Sequence, residues 1–121
     1  MEERRKFVRL DTRLGIVYQV LPTTSPRKSL TQDIAGGGIC LFANERLEAG
    51  TRLQVEIQLP TREQPVAFEA EVVWCEAYEV IGKTTRERAI EVGVKFVKID
   101  PRDQHAILEH VILSLKPYGP V

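Results

Sequence analysis

Three arginines near the N terminus have the types and spacing to bind an anionic ligand. Arg5 and Arg9 are four residues apart, and Arg4 directly precedes Arg5. The planar guanidinium group pairs with a phosphate through two hydrogen bonds, or with the O6 and N7 atoms of guanine. The same segment is also consistent with a basic, solvated N terminus that has no fixed role. Taken alone, the three arginines favour that second interpretation.

A run of three glycines, Gly36 to Gly38, is the second group that could contact a ligand, and it follows Asp33 and Ala35. Glycines weaken the interior of a strand, so their presence between two apolar segments needs a reason. One interpretation is a hairpin turn or a bulge beside a local aspartate. The other is a surface on which backbone N–H groups and the Asp33 carboxylate face a small molecule. Alone, the run favours a turn, because glycine is common in turns.

Alternating apolar and polar residues predict the strands that must position both groups. The alternation recurs in six segments, near residues 13–20, 28–33, 39–43, 53–59, 66–75 and 90–96. The loop between the fourth and fifth segments is short, which predicts that these two strands are antiparallel neighbours.

The end of the chain changes to a helical period. Asp100 is a suitable N-cap and Pro101 suits the first helical position. Apolar residues then follow the spacing of an amphipathic helix, namely Leu108, Val111, Ile112 and Leu115. The sequence therefore predicts a mainly all-β fold, a six-stranded antiparallel β-barrel with a C-terminal α-helix. Residues 1–12 are predicted to be a flexible basic arm and residues 13–121 to be the barrel and helix of a single domain.

Composition and motifs argue against several classes of protein. Lys+Arg and Asp+Glu number 17 each, so the net charge is zero and gives no sign of DNA binding. Neither Cys40 and Cys75 nor His105 and His110 have the spacing of a metal site, and no catalytic motif occurs. The chain has no apolar run of membrane-spanning length and begins with charged residues. We therefore expect a cytoplasmic protein that is not an enzyme, has no metal or cofactor, and does not insert into membranes.

The order of the two groups resembles a known family. Arg5 to Arg9 matches RxxxR, and Asp33 to Gly38, about two dozen residues later, nearly matches (D/N)xSxxG. This combination resembles the PilZ domain, a bacterial receptor module for the second messenger cyclic di-GMP. The segments Val72–Trp74 and Glu91–Phe96 are similar to two later strands of the family, so the resemblance extends over essentially the whole chain. It implies the same barrel and helix that the alternation predicts.

The resemblance also implies roles for individual residues. Arg5 and Arg9 would bind guanine edges and phosphates, and Arg4 would make a flanking contact. Asp33 would accept hydrogen bonds from N1 and N2 of a guanine. The expected ligand is cyclic di-GMP, and the expected output is a changed surface that an unidentified protein partner recognises.

The glycine run and the tryptophan complete the implied site, with one departure from the family pattern. Gly38 matches the final glycine of the motif, and Gly36 and Gly37 fill its two variable positions. Trp74 would either flank a base or, from its alternation with neighbouring core residues, belong to the core. Ala35 stands where the motif has serine, and the loss of one hydrogen bond should cost about 0.5–1.5 kcal/mol, or a few-fold to tenfold in affinity.

The departure at Ala35 keeps a second function open, that of a PilZ-like adaptor that binds a protein partner and no nucleotide. Binding of single-stranded nucleic acid across the barrel is the weakest alternative, because the net charge is zero and aromatic residues make up 7% of the chain. The sequence leaves the oligomeric state and the ligand stoichiometry open.

Overall fold

The computed structural model describes residues 9–22, 25–35, 37–81 and 86–114. They form seven strands and one helix: β1 (Arg9–Asp11), β2 (Gly15–Val20), β3 (Arg27–Ala35), β4 (Gly38–Ala43), β5 (Arg52–Ile57), β6 (Val66–Ile81), β7 (Arg86–Lys98) and α1 (Pro101–Ser114).

Six of the strands close into an antiparallel barrel. The order is β3-β2-β5-β6-β7-β4, and β4 pairs back with β3. The prediction of a six-stranded antiparallel barrel with a C-terminal helix is confirmed, as is the β5–β6 hairpin. Because the barrel is closed, each of its six strands is hydrogen-bonded to a neighbouring strand on both sides.

β1 is an additional short strand that pairs with β3 on the same edge as β2. β2 pairs with residues 27–30 of β3, and β1 pairs with residues 33–35. The sequence assigned residues 1–12 to a flexible arm; in the structure residues 9–11 of that segment form a strand, and residues 1–8 lie outside the described residues.

The break between β1 and β2 is bridged by a buried threonine. Thr31 is the one polar residue that is fully buried in the described part of the chain. Its hydroxyl accepts a hydrogen bond from the Leu14 amide at 2.8 Å and donates one to the Thr12 carbonyl at 2.6 Å. These bonds satisfy backbone groups of the interruption that would otherwise cost free energy when buried.

The core follows the period of two that the sequence shows. Inward-facing side chains of the strands meet in one cluster, to which α1 adds two residues; its largest fully buried members are Tyr18, Ile34, Leu41, Leu53, Ile57, Leu59 and Ile107. On a regular strand, the residues on either side of a buried residue therefore face outward.

α1 begins as predicted, but its buried face differs from the prediction. The Asp100 carboxylate accepts a hydrogen bond from the Arg102 amide at 2.8 Å, and this bond lowers the pKa of Asp100. Ile107 and Val111 are buried, whereas Ile112 is 57% exposed. The helix is therefore rotated relative to the predicted stripe, and it packs against β3 and β1.

Candidate ligand-binding site

Pairing of β1 with β3 brings Arg9, the last residue of the RxxxR segment, next to the residues that precede the glycine run. Arg9 lies opposite Ala35, and Asp11 lies opposite Asp33. Two groups that are far apart in the sequence thus become neighbours on adjacent strands. The side chain of Arg9, and all of Arg4, Arg5 and Gly36, lie outside the part of the chain that the structure describes.

The register continues from β3 through β4 to β7 and defines which side chains share the outer face. Ile34, Ile39 and Val94 are paired across these strands and are all buried. Residues on either side of each therefore face outward, because successive side chains of a strand alternate between faces.

Two rows of outward positions result, one on each side of the buried row. The Ala35 row runs across the strands through Arg9, Ala35, Gly38 and Lys95. The Asp33 row runs through Asp11, Asp33, Cys40, Gly93 and Trp74. The predicted ligand residues Arg9, Asp33, Ala35, Gly38 and Trp74 all fall in these two rows.

Gly38 occupies a place where no side chain fits. A Cβ atom there would overlap the carbonyl oxygen of Val94 and lie 3.0 Å from the Cα of Lys95. The same end of β4 is held to β7 by the Phe96 amide, which donates to the Gly37 carbonyl at 3.2 Å. The glycine run is therefore both a hairpin connection, as β3 and β4 pair across it, and a bare surface beside Ala35.

Trp74 lies on the outer face, so the core interpretation of this residue is wrong. A register shift between Val72 and Trp74 inserts a bulge that reverses the alternation, and Trp74 is 39% exposed. Its indole ring covers Gly93, where an added Cβ would overlap the ring. The absence of a side chain at Gly93 is what lets the large aromatic ring lie over this point of β7.

Asp11 and Arg13 are site neighbours that the sequence did not single out. Asp11 and Asp33 face each other across the β1–β3 pair, and like charges in that position disfavour pairing. Arg13 offsets part of this charge, since its guanidinium is 3.1 Å from the Asp11 carboxylate and 2.9 Å from the Gln32 carbonyl. It also lies 5.4 Å from the centroid of the Phe42 ring.

A hydrogen-bonded group borders the Asp33 row on β6 and β7. Tyr78 donates to one oxygen of Glu91, and the Cys40 thiol lies 3.4 Å from the other. The hydrogen bond to Glu91, with burial as a second cause, raises the pKa of Tyr78 to about 12. The phenol is therefore protonated at neutral pH and fixes the Glu91 side chain. In the sequence, Glu91 is one polar residue in an alternating strand, which gave no signal of this role.

Other chemistry is sparse in the described ranges. They contain no group of three or more residues suited to holding a metal ion, and both cysteines are free thiols. Cys40 is buried and Cys75 partly so. No helix among the described residues is long and apolar enough to cross a membrane.

Comparison with solved structures shows that this barrel has close counterparts. The PilZ domain of YcgR from Escherichia coli, solved with cyclic di-GMP, matches with a TM-score of 0.74 and 19% identity over 93% of this chain and 92% of that chain. MotI/DgrA, an inhibitor of motility from Bacillus subtilis, matches with a TM-score of 0.72 and 24% identity over 93% of this chain and 52% of its own.

A third structure, the complex of K. pneumonia MrkH with cyclic di-GMP, matches with a TM-score of 0.70 and 16% identity over 94% of this chain. The chain spans about half the length of MotI/DgrA and MrkH. At these identities the likeness establishes the fold. No curated protein sequence matches the chain significantly.

The family assignment comes from the sequence model of the PilZ domain, which matches residues 3–113. The match includes both the arginine segment and the glycine run. The chain therefore belongs to the PilZ domain family.

Proposed function

We propose that this protein is a receptor for cyclic di-GMP, and that ligand binding changes its surface to signal to a partner protein. One observation carries the proposal: β1 places Arg9 directly opposite Ala35, two residues from Asp33 and beside the bare surface at Gly38. A basic residue, an acidic residue and a glycine are thereby neighbours on paired strands. The family match and the two neighbours solved with cyclic di-GMP, YcgR and MrkH, support the choice of ligand.

The chemistry of the face suits a guanine dinucleotide. The Asp33 carboxylate accepts hydrogen bonds from N1 and N2 of one guanine, while Arg5 and Arg9 pair with phosphate oxygens or with guanine O6 and N7, flanked by Arg4. Gly36, Gly37 and Gly38 let the ligand approach the backbone, and the exposed indole of Trp74 offers a flat surface to a base. Ala35 contributes no hydrogen bond. Each assigned role is that of a binding group, so the proposed activity is recognition and not catalysis.

The position of β1 supplies a route from binding to output. β1 is three residues long, and α1 packs against both β1 and β3. A ligand that holds the arginine segment against Asp33 changes the surface that β1 and the helix present together. The partner protein recognises this altered surface.

Titration calorimetry of the full chain with cyclic di-GMP tests the proposal. Wild type should bind, and Arg9→Ala should bind at least about tenfold more weakly, because a charge-assisted hydrogen bond is worth roughly 1.5–3 kcal/mol. Arg27→Ala is the matched control. Arg27 lies at the opposite end of β3, 3.4 Å from the Glu45 carboxylate, and its loss should leave affinity unchanged.

Absence of binding heat from wild type up to high micromolar ligand would refute the receptor function. Binding by Arg9→Ala equal to that of wild type would refute the role of the arginine segment alone.

A second function, a protein-interaction adaptor that binds no nucleotide, is favoured by the alanine at position 35. This function predicts that a partner is captured equally well with and without cyclic di-GMP. Capture that changes on addition of the nucleotide would exclude it.

A further inference from the structure

Lys95 is a cation on the outer face that neither the motifs nor the proposed roles use. It pairs with Gly38 across β4 and β7, and its side chain is 58% exposed. The buried position of its neighbour Val94 fixes the outward direction of Lys95.

The electrostatic partner of Lys95 holds it weakly. Its ammonium group is 3.8 Å from one oxygen of Glu71. The other oxygen of Glu71 is 3.1 Å from the Arg52 guanidinium, which also binds Glu69 at 2.7 Å. Glu71 therefore shares its charge with a better placed cation, and an exposed pair at this distance contributes little. The ammonium group is available to an anion at small cost.

Lys95 and Arg9 stand at opposite ends of the Ala35 row. Between them lie Ala35, whose side chain is a methyl group, and Gly38, which has none. Three strand spacings separate the two cations, about 14 Å between Cα atoms. The row thus has two small residues in the middle and a basic residue at each end.

Lys95 also lies beside the aromatic part of the site. Gly93 is two residues before it on the same face of β7, and the indole of Trp74 covers that glycine. Two residues of a strand span about 7 Å, so the flexible lysine side chain can reach groups next to the indole.

From this placement we propose that Lys95 binds a phosphate group of the ligand from the β7 side, opposite the arginine segment. The inference rests on the proposed cyclic di-GMP function. The ammonium group acts as a mobile point charge with three donors, suited to phosphate and indifferent to the base. Its contribution is therefore to affinity, whereas discrimination between bases belongs to Asp33.

Calorimetric titration of cyclic di-GMP into wild type, Lys95→Gln and Lys95→Arg tests this role. Lys95→Gln should lower affinity about tenfold, and its affinity should fall less steeply with added salt than that of wild type. Lys95→Arg should recover most of the loss because it restores the charge. Lys98→Gln is the matched control: an exposed lysine on the same strand whose loss should change affinity by less than twofold.

A Glu71→Gln variant adds a readout of opposite sign. Removal of the carboxylate that holds Lys95 should tighten binding of cyclic di-GMP a few-fold when Lys95 is present. In the double variant with Lys95→Gln, the Glu71→Gln substitution should have no effect on affinity. A purely structural role of Lys95 would produce neither the rescue nor this dependence.

The outcomes separate the two proposals. If wild type binds and Lys95→Gln binds equally well, the role of Lys95 is refuted while the receptor function stands. If Lys98→Gln loses as much affinity as Lys95→Gln, the effect is one of total charge and the assignment is refuted. If wild type does not bind, both proposals fail together.

Discussion

The outer face formed by β3, β4 and β7 and the outer face formed by β5 and β6 both carry charged residues, but they use them differently. On β5 and β6, Arg52 lies opposite Glu71 and contacts both Glu71 and Glu69, at 3.1 and 2.7 Å. The hydrogen bond to Glu69 raises the pKa of Arg52. On β3, β4 and β7, the central positions are Ala35 and Gly38, and charged residues lie around them.

The difference teaches what distinguishes a binding surface from an ordinary solvated strand face. Charges held in short cross-strand pairs, as Arg52 is with Glu69 and Glu71, have little capacity left for a ligand. A face whose central positions are an alanine and a glycine, with charged residues around them, leaves space for a ligand. The glycines are therefore as diagnostic as the arginines.

The largest expected effect comes from adding a methyl group at Gly38, at the close approach of β4 and β7. Gly38→Ala should destabilise the protein by about 3 kcal/mol, because the added Cβ overlaps the Val94 carbonyl and the backbone of two strands must separate. Urea denaturation measures this loss. The matched control is Gly15→Ala on β2, where an added Cβ meets nothing within 4 Å and stability should stay the same or rise slightly. Equal urea midpoints for wild type and Gly38→Ala would show that β4 and β7 do not approach so closely.

A smaller effect is expected from restoring the family residue at the centre of the site. Ala35→Ser should tighten cyclic di-GMP binding by a few-fold to tenfold, since one new hydrogen bond contributes about 0.5–1.5 kcal/mol. Calorimetry compares it with Ala67→Ser, which adds a hydroxyl to the exposed outer face of β6 and should leave affinity unchanged. Equal affinity of Ala35→Ser and wild type would show that a hydroxyl at position 35 does not contribute to binding.

The smallest effect is expected on the β5–β6 face. Arg52→Gln should leave thermal stability nearly unchanged, because exposed ion pairs contribute little. Its affinity for cyclic di-GMP should stay within about twofold of wild type, with any loss arising from a firmer Glu71–Lys95 pair. Thermal melting and calorimetry measure the two quantities. A large loss of affinity in this variant would erase the contrast between the two faces.

Much of the barrel could be predicted from the sequence because its strands keep a strict alternation. Leu53, Val55 and Ile57 are buried as their spacing requires, and Asp100 caps the helix as its chemistry suggests. Alternation reports a local environment, so it is reliable wherever one face of a regular strand meets the core.

The remainder depends on register and on irregularities that a local pattern does not contain. The bulge after Val72 turns Trp74 outward, and no residue type at that point signals an inserted position. β1 is too short to show alternation, so its pairing with β3 follows only from tertiary structure. Lys95 lies beside Gly38 solely because β4 and β7 align the two residues. Each of these is a relation between strands, which a single-strand pattern cannot encode.

Thr31 gives the interruption between β1 and β2 a consequence for the independence of the two strand pairings. The hydroxyl that joins Leu14 and Thr12 ends the β2–β3 ladder with its backbone groups satisfied. These hydrogen bonds lie outside the pairing of residues 9–11 with residues 33–35, so loss of that pairing would leave them in place. Thr31 thus marks the boundary between the short β1–β3 pairing and the closed barrel.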